Sequence, residues 1–529
     1  GALGLWPAAQ LTLALMAASV VLALALGFPL GIAAAKSPRF YAVLRPVLDA
    51  MQTLPAFVYL IPVLLFFGVA RAPSVIATVI YALPPIVRLT ASGILEAPAA
   101  SKEAADAFGA SAWQKLRKVE LPLALPAIQA GINQTIMMAL SLVVIAALIG
   151  AGGLGRDVLV ALQRLRVGQG LEAGLAIVLI AVVLDRLFHV AEGRKQREYG
   201  RPAMFNKVSP RLFAAVYWST AAMVMLYFMV VDAYVVGLRD FPEAMQFSIS
   251  APVDSGVRWL RDNLYRIGNL PIGTGPFSDF LVIWLLNPLR SLLQTWLPWP
   301  VVIGGFGLVA WYSGGNSGGL RLGVVTVFAV LATGLLGMWT HTLDTLSQVL
   351  VAVLVALTVG LPLGVWSAQN DGVRAGLRPV LDFLQTIPVF VYLVPVIMLF
   401  HVGRVPGIIA SVLYAVPPVI RLTDLGIRRV HAEVTEAADA FGATAWQRLF
   451  MVQLPLALPT IMLGVNQTVM MVLAMVIIAG LVGGGALGFE AVNGLARNEV
   501  GRGLEAGIAI VCLAIVLDRL TQAWARRTR

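Results

Sequence analysis

Glu103 and Glu436 each open the same heptapeptide, Glu-Ala-Ala-Asp-Ala-Phe-Gly, which closes at Gly109 and Gly442. Glu103, Ala104 and Ala105 recur as Glu436, Ala437 and Ala438, 333 positions on (103 to 436). A carboxylate on a short polar helix does the chemistry of charge-assisted pairing with another protein, and whatever docks on one of these helices docks twice. Little else has the spacing of catalysis. His189, His341, His401 and His431 lack metal-ligand spacing, no phosphate-binding Gly-x-x-x-x-Gly-Lys-Ser/Thr run occurs, and nothing fixes Ser, His and Asp into a triad. The single cysteine, Cys512, lies in an apolar run, which excludes a disulfide or metal-thiolate site within the chain. The chain is therefore read as a non-enzyme with no metal site, no cofactor of its own and no capacity to hydrolyse ATP.

The 333-residue offset holds without slippage from Trp6/Trp339 through Pro29/Pro362, Arg88/Arg421 and Asn133/Asn466 to Asp185/Asp518, so two homologous halves share one polypeptide. Each half sets a polar triplet in an apolar run: Asn133, Gln134 and Thr135, then Asn466, Gln467 and Thr468. Such groups face a bundle interior or an aqueous cavity, so lining a pathway and bonding between helices are both open to them. Both triplets match the Asn-x-Thr glycosylation pattern, but a position inside a span argues against modification. Asp185-Arg186 and Asp518-Arg519 pair locally or with a neighbouring helix, with a proton relay as the sharper alternative. Asp49 and Asp382 follow Arg45 and Arg378 by four residues, the spacing of an i,i+4 ion pair. Pro55/Pro62 and Pro388/Pro395 recur seven apart and are kink sites.

The elements that position these residues follow from composition. With 59% hydrophobic and 12% charged residues and a mean hydropathy of +0.86, the chain is a polytopic membrane protein. Its long apolar runs must be helices, because lipid offers no partner to unpaired backbone, and the fold class is all-α. The net charge of +11 comes from clusters beside the spans, such as Lys36/Arg39/Arg45 and Arg194/Lys195/Arg197, which mark cytoplasmic loops. No basic stripe is interleaved with stacking aromatics, so nucleic acid is not a partner.

Spans are expected near 11–33, 54–69, 73–92, 126–149 and 171–190, with counterparts near 345–366, 387–402, 406–422, 457–481 and 504–522. Five crossings per copy, both copies facing the same way, require an odd number between them. Three are expected, near 212–233, 298–313 and 321–340, for about 13 transmembrane helices in all, and Arg526/Arg527/Arg529 then falls inside. Residues 235–297 alternate charge with aromatics, as interfacial amphipathic helices do, and a plain linker is equally open over 235–275. The expected organisation is a first domain over 1–200, a connecting helix and periplasmic segment over 201–296, and a second domain over 297–529. Gly1 aligns with Gly334, which is partway along a span, so the first copy is expected to lack its native amino terminus. Parallel repeats imply a pseudo-two-fold axis along the membrane normal, with a pathway where the halves meet.

After each heptapeptide come nine residues and then Val119-Glu-Leu-Pro122 or Val452-Gln-Leu-Pro455. The spacing predicts a short helix, a turn at Gly109 or Gly442 where a Cβ would obstruct, and a second amphipathic helix around Trp113 or Trp446. This pattern resembles the cytoplasmic coupling loop of the permease subunits of bacterial binding-protein-dependent ABC importers, the type I transmembrane fold. Arg45-Pro-Val-Leu-Asp49, Gln52 to Pro62, Leu83-Pro-Pro-Ile-Val-Arg88-Leu-Thr90, Gly131 to Met138 and Leu184-Asp-Arg-Leu187, with their second-copy equivalents, further resemble the glycine betaine/proline betaine permease of osmoprotectant uptake. The departure from the family is the fusion of two permeases in tandem.

The resemblance implies an alternating-access permease in the bacterial inner membrane. Both coupling loops would seat in two copies of an ABC ATPase that carry ATP and Mg, and a periplasmic substrate-binding protein would deliver a quaternary-ammonium-type osmolyte: glycine betaine, proline betaine, choline, carnitine or trimethylamine N-oxide. Membrane lipid is the remaining partner. The alternatives are an ion-coupled secondary transporter with parallel repeats, using Asp185 or Asp518, and a scaffold or sensor that moves no solute.

Overall fold

The computed structural model describes residues 3–53, 56–164, 166–198, 246–266, 272–386, 389–497 and 499–527. The span expected near 212–233 lies outside the described residues. Helices account for nearly everything else, and each expected run has one. In the first copy they are Trp6–Lys36, Pro38–Thr53, Ala56–Phe67, Arg71–Leu95, Ala99–Ala107, Ala112–Lys115 running through a π turn into Leu121–Ile145, Gly153–Gln163 and Val167–Glu198. The second repeats the order as Trp339–Gln369, Asp371–Thr386, Val389–Phe400, Arg404–Arg428, Ala432–Ala440, Ala445–Gln447 running into Leu454–Ile478, Ala486–Ala496 and Val500–Arg527.

Among the described residues eight helices are long and apolar enough to cross a membrane, or nine if the bent pair Thr274–Trp296 and Trp299–Gly315 counts as one span. Ala56–Phe67 and Val389–Phe400 have 12 residues each. At 1.5 Å per residue that is about 18 Å, short of the ~30 Å hydrocarbon core, so neither crosses alone.

Trp299–Leu335 is a hairpin rather than a rod, because Gly315 breaks it with φ +62°. A Cβ on Gly319 would fall 2.2 Å from the Trp311 carbonyl oxygen, and one on Gly323 would fall 3.1 Å from that of Gly307. In a straight helix residues 307 and 323 would be about 24 Å apart. The glycines let the two arms touch backbone to backbone, as small residues do between membrane helices. This hairpin supplies the expected crossings near 298–313 and 321–340.

The segment before it docks on the first copy by reciprocal capping. Glu172 Oε1 accepts hydrogen bonds from the amides of Ile249 (2.7 Å) and Ser250 (2.8 Å), at the start of helix Ser250–Leu264. Asp254 Oδ1 accepts from the amide of Gly168 (2.7 Å), at the start of Val167–Glu198. Each carboxylate satisfies backbone donors that a helix start leaves free.

The halves join by exchanging their short helices. Ala56–Phe67 packs on Val500–Arg527, where Ile61 covers Gly507, and Val389–Phe400 packs on Val167–Glu198, where Val391 covers Gly174 and Val394 covers Gly170. The exchange is the pseudo-two-fold expected of parallel repeats. One hydrophobic core runs through it, with Leu60, Ile177, Leu393 and Ile510 all fully buried.

Candidate functional site

Each heptapeptide folds into a helix-turn-helix braced by its own side chains. In the first, Ala99–Ala107 ends at Gly109 (φ +69°), and Ser111 starts the next helix with a capping box: the Gln114 amide donates to Ser111 Oγ (3.3 Å) and the Ser111 amide donates to Gln114 Oε1 (2.9 Å). Lys115 Nζ bonds both Asp106 oxygens (2.7 and 2.8 Å) and clips the two helices together. The hydrogen bond to Asp106 raises the pKa of the Lys115 ammonium. The second loop repeats the design with Gly442 (φ +79°), Thr444 and Gln447, and an Arg448 to Asp439 bond of 2.6 Å. Both second helices pass through a π turn, Leu116–Glu120 and Arg448–Gln453.

A Cβ on Gly109 or Gly442 would meet nothing within 4 Å. The obstruction expected from the sequence is absent; the positive φ is what selects glycine.

The bracing leaves a set of residues pointing outward. Glu103, Ala104, Gly109, Glu436, Ala437 and Gly442 are exposed, Ala438 is half-buried and Ala105 is buried. The carboxylates of Glu103 and Glu436 make no hydrogen bond or ion pair among the described residues. Phe108 and Phe441 are 91% and 93% exposed, with Trp113 and Trp446 beside them at 66% and 69%. Aromatic rings held out from a rigid polar loop are the kind of surface that anchors a protein interface. The sequence argument picked the carboxylates and passed over these rings, although Phe108 and Phe441 stand inside the repeated heptapeptide.

The roots of the loops differ. In the first copy Lys36 Nζ pairs with buried Glu120 Oε2 at 2.6 Å, tying the end of the first span to the root of the helix-turn-helix. In the second, Arg428 bonds Asp424 (2.9 Å) and Asp371 (2.7 Å), and Arg374 lies 3.3 Å from Asp424. Asp49 pairs with Arg88 and Asp382 with Arg421, each across 39 positions. These bonds replace the expected i,i+4 pairs, because the guanidinium of the packed neighbouring helix reaches each carboxylate.

Of the polar triplets, Thr135 and Thr468 are fully buried, Asn133 and Asn466 half-buried, and Gln134 and Gln467 exposed. Thr468 Oγ1 donates to the Ala415 carbonyl (2.9 Å), whereas Thr135 Oγ1 has no partner among the described residues. Asn466 accepts from Thr521 Oγ1 and donates to Asp518 Oδ1 (3.5 Å), and Asp518 also receives Gln522 Nε2 (2.7 Å). Asp518 thus pairs both locally and with a neighbouring helix. The side chain of Asp185 lies outside the described residues, as do Pro55 and Pro388.

Two tyrosine pairs sit on other helices, Tyr59 and Tyr392 on the short exchanged helices and Tyr81 and Tyr414 on the spans that follow them. Tyr59 packs edge-on to Tyr81 (centroids 5.7 Å) and Tyr392 to Tyr414 (5.8 Å), while Tyr81 and Tyr414 lie within electrostatic reach of each other across the halves.

Comparison with known proteins agrees with this geometry. The family described as the binding-protein-dependent transport system inner membrane component matches residues 27–196 and again 360–529. The trimethylamine N-oxide transport system permease protein of Ruegeria pomeroyi is 35% identical over 523 residues, covering 99% of this chain and 77% of that protein. Its Pelagibacter ubique namesake is 33% identical, covering 99% and 72%. The glycine betaine/proline betaine transport system permease protein of Escherichia coli is 47% identical over 248 residues, 47% of this chain and 69% of that one. Two braced loops, short helices that exchange across a two-fold, and a family match that falls once on each half make this chain a multi-pass inner-membrane permease of the binding-protein-dependent transport family, with the family's unit present twice in one polypeptide.

Proposed function

We infer that the chain supplies both permease halves of an ATP-driven importer for a small methylated-ammonium osmolyte, of the trimethylamine N-oxide and glycine betaine class. The relatives support the cargo, and the family's dependence on a binding protein supports delivery from the periplasm. The observation that carries the coupling is the pair of braced loops, each presenting an unpaired carboxylate and an almost fully exposed phenylalanine beside the cytoplasmic basic clusters. Two identically built handles fit two copies of an ATPase subunit, which would bind ATP and Mg. Closure of that dimer would pull both handles together, and the exchanged short helices would carry the pull across the two-fold.

The test is reconstitution of the chain in proteoliposomes with its ATPase and binding protein. Accumulation of labelled trimethylamine N-oxide or glycine betaine that requires internal ATP and the loaded binding protein is expected. Uptake that follows an ion gradient without an ATPase would overturn the assignment.

A further inference from the structure

We propose that Tyr81 and Tyr414, with the backbone carbonyls freed beside them, form a transit site inside the membrane for the methylated ammonium head of the cargo. The proposal rests on the importer reading and gives that reading a place in the bilayer.

Tyr81 stands ten residues from Arg71 on Arg71–Leu95, about 15 Å along the helix, and Tyr414 stands at the same register on Arg404–Arg428. Both are therefore near mid-membrane, on the two helices that each run on into a coupling loop. Each helix is free of charged side chains for sixteen residues, from Ala72 to Val87 and from Val405 to Ile420. The corridor is neutral between its arginine rims, a poor place for an inorganic ion that must keep its water.

Three features of this neutral stretch suit an alkylated cation. The Tyr81 and Tyr414 rings are only partly buried, unlike Tyr59 and Tyr392, which are 7% and 5% exposed. The hydroxyls also divide the work. Tyr59 donates to the Met51 carbonyl and Tyr392 to the Leu384 carbonyl, which fixes the outer rings, whereas the inner pair has no hydrogen-bond partner among the described residues.

The third feature is the prolines. Pro84 and Pro85 have no N–H for the carbonyls of Ile80 and Tyr81, and Pro417 and Pro418 none for those of Leu413 and Tyr414. Four carbonyl oxygens are released from helix bonding within one turn of the two rings. A methylated ammonium is a weakly hydrated cation that is attracted to ring faces within about 6 Å, and its polarised C–H groups are donors to carbonyl oxygens. Arg71–Leu95 and Arg404–Arg428 stay continuous through these prolines, so the freed carbonyls are offered without a break in either helix.

The test uses the complete reconstituted transporter. Tyr81→Phe with Tyr414→Phe keeps both ring faces and is the parent against which the fluorinated series below is read. Tyr81→Leu with Tyr414→Leu is expected to lose about tenfold in uptake, while ATP hydrolysis stimulated by the loaded binding protein persists. Leucine also alters packing, so a graded series follows: phenylalanine carrying one, two or three fluorines at 81 and 414, which keeps the shape of the ring and weakens its negative face. Uptake should fall stepwise along the series. Equal uptake across it, or wild-type uptake by the leucine pair, overturns the transit site and leaves the importer assignment standing. A wild-type transporter that hydrolyses ATP but moves neither trimethylamine N-oxide nor glycine betaine overturns both.

Discussion

Lys36 Nζ stands 2.6 Å from Glu120 Oε2, and the two positions 333 residues later hold Gln369 and Gln453. The second copy has replaced both members of the pair with amides, so neither charge is kept without the other. Glu120 is only 4% exposed. Lys36→Met therefore strands a buried carboxylate and should cost roughly 2 kcal/mol, read as a lower unfolding temperature in detergent. Lys36→Gln with Glu120→Gln, which copies the other half, should recover most of that loss. A double variant no more stable than Lys36→Met would show that the pair does not act as a unit.

The carboxylates at the loop tips support a second prediction. Glu103→Lys with Glu436→Lys leaves the capping boxes and the Lys115–Asp106 and Arg448–Asp439 clips intact, so the protein should insert and remain folded. Uptake per ATP hydrolysed should fall on the order of thirtyfold, the loss of two charge-assisted contacts of roughly 1 kcal/mol each. The single variants should differ, because Lys102 and Lys118 near one tip are Thr435 and Met451 near the other. Wild-type coupling in the double variant would remove the acids from the mechanism and leave Phe108 and Phe441 as the contacts to test.

Much of this architecture was legible because a duplicated sequence shows its own register. The 333-residue offset located both repeated loops, and apolar runs placed every described long span within a few residues. What escaped was set by contacts between helices that sequence spacing does not encode. Arg45 and Asp49 have the separation of a helical ion pair, yet Asp49 bonds Arg88, which only packing brings near. Gly109 looked like a steric requirement and is a conformational one, since its surroundings are open and its φ is positive. The tyrosine pairs needed helix packing to appear, for Tyr59 and Tyr81 lie on separate helices, as do Tyr392 and Tyr414, and their rings meet edge-on only in the fold.

Asp157 gives a pH signature outside the spans. Its counterpart Glu490 is held by Arg502 and lies 3.8 Å from His341, but the first copy has Gln169 and Ala8 at those positions. Burial pushes the Asp157 carboxyl above its ordinary range, against the pull of Arg156. The folded state thus binds this proton more tightly than the unfolded chain does. That contribution stabilises the fold below the unfolded carboxylate's pKa and is lost as pH rises through the folded value. Asp157→Asn should therefore raise the unfolding temperature at neutral pH, with the gap closing as pH falls toward the carboxylate range. Gln169→Arg should also stabilise at neutral pH, by roughly 0.5 kcal/mol, by supplying the missing partner. A lower unfolding temperature for Asp157→Asn at pH 7 would mean that the ionised acid has a favourable contact here.

Asp518 separates ATP-driven from ion-driven transport. It is 6% exposed in the last helix, and the donors that reach it, Gln522 and Asn466, are neutral amides. Carboxylates inside membrane bundles mark proton pathways in pumps, so the same observation would suit a relay. The bonding pattern favours a structural node. Gln522 binds both oxygens at 2.7 Å from one turn away, and Asn466 is held in turn by Thr521, which closes the last helix on the span below the second coupling loop. An amide at position 518 can keep one oxygen acceptor for Gln522 while ending any proton transfer. Asp518→Asn should therefore import within about threefold of wild type, a change of less than 1 kcal/mol in the limiting barrier. Collapse of the proton gradient should leave uptake by either protein unchanged so long as ATP is supplied. Loss of uptake in Asp518→Asn together with sensitivity of the wild type to a protonophore would make Asp518 a proton carrier, and the coupling loops would then need another purpose.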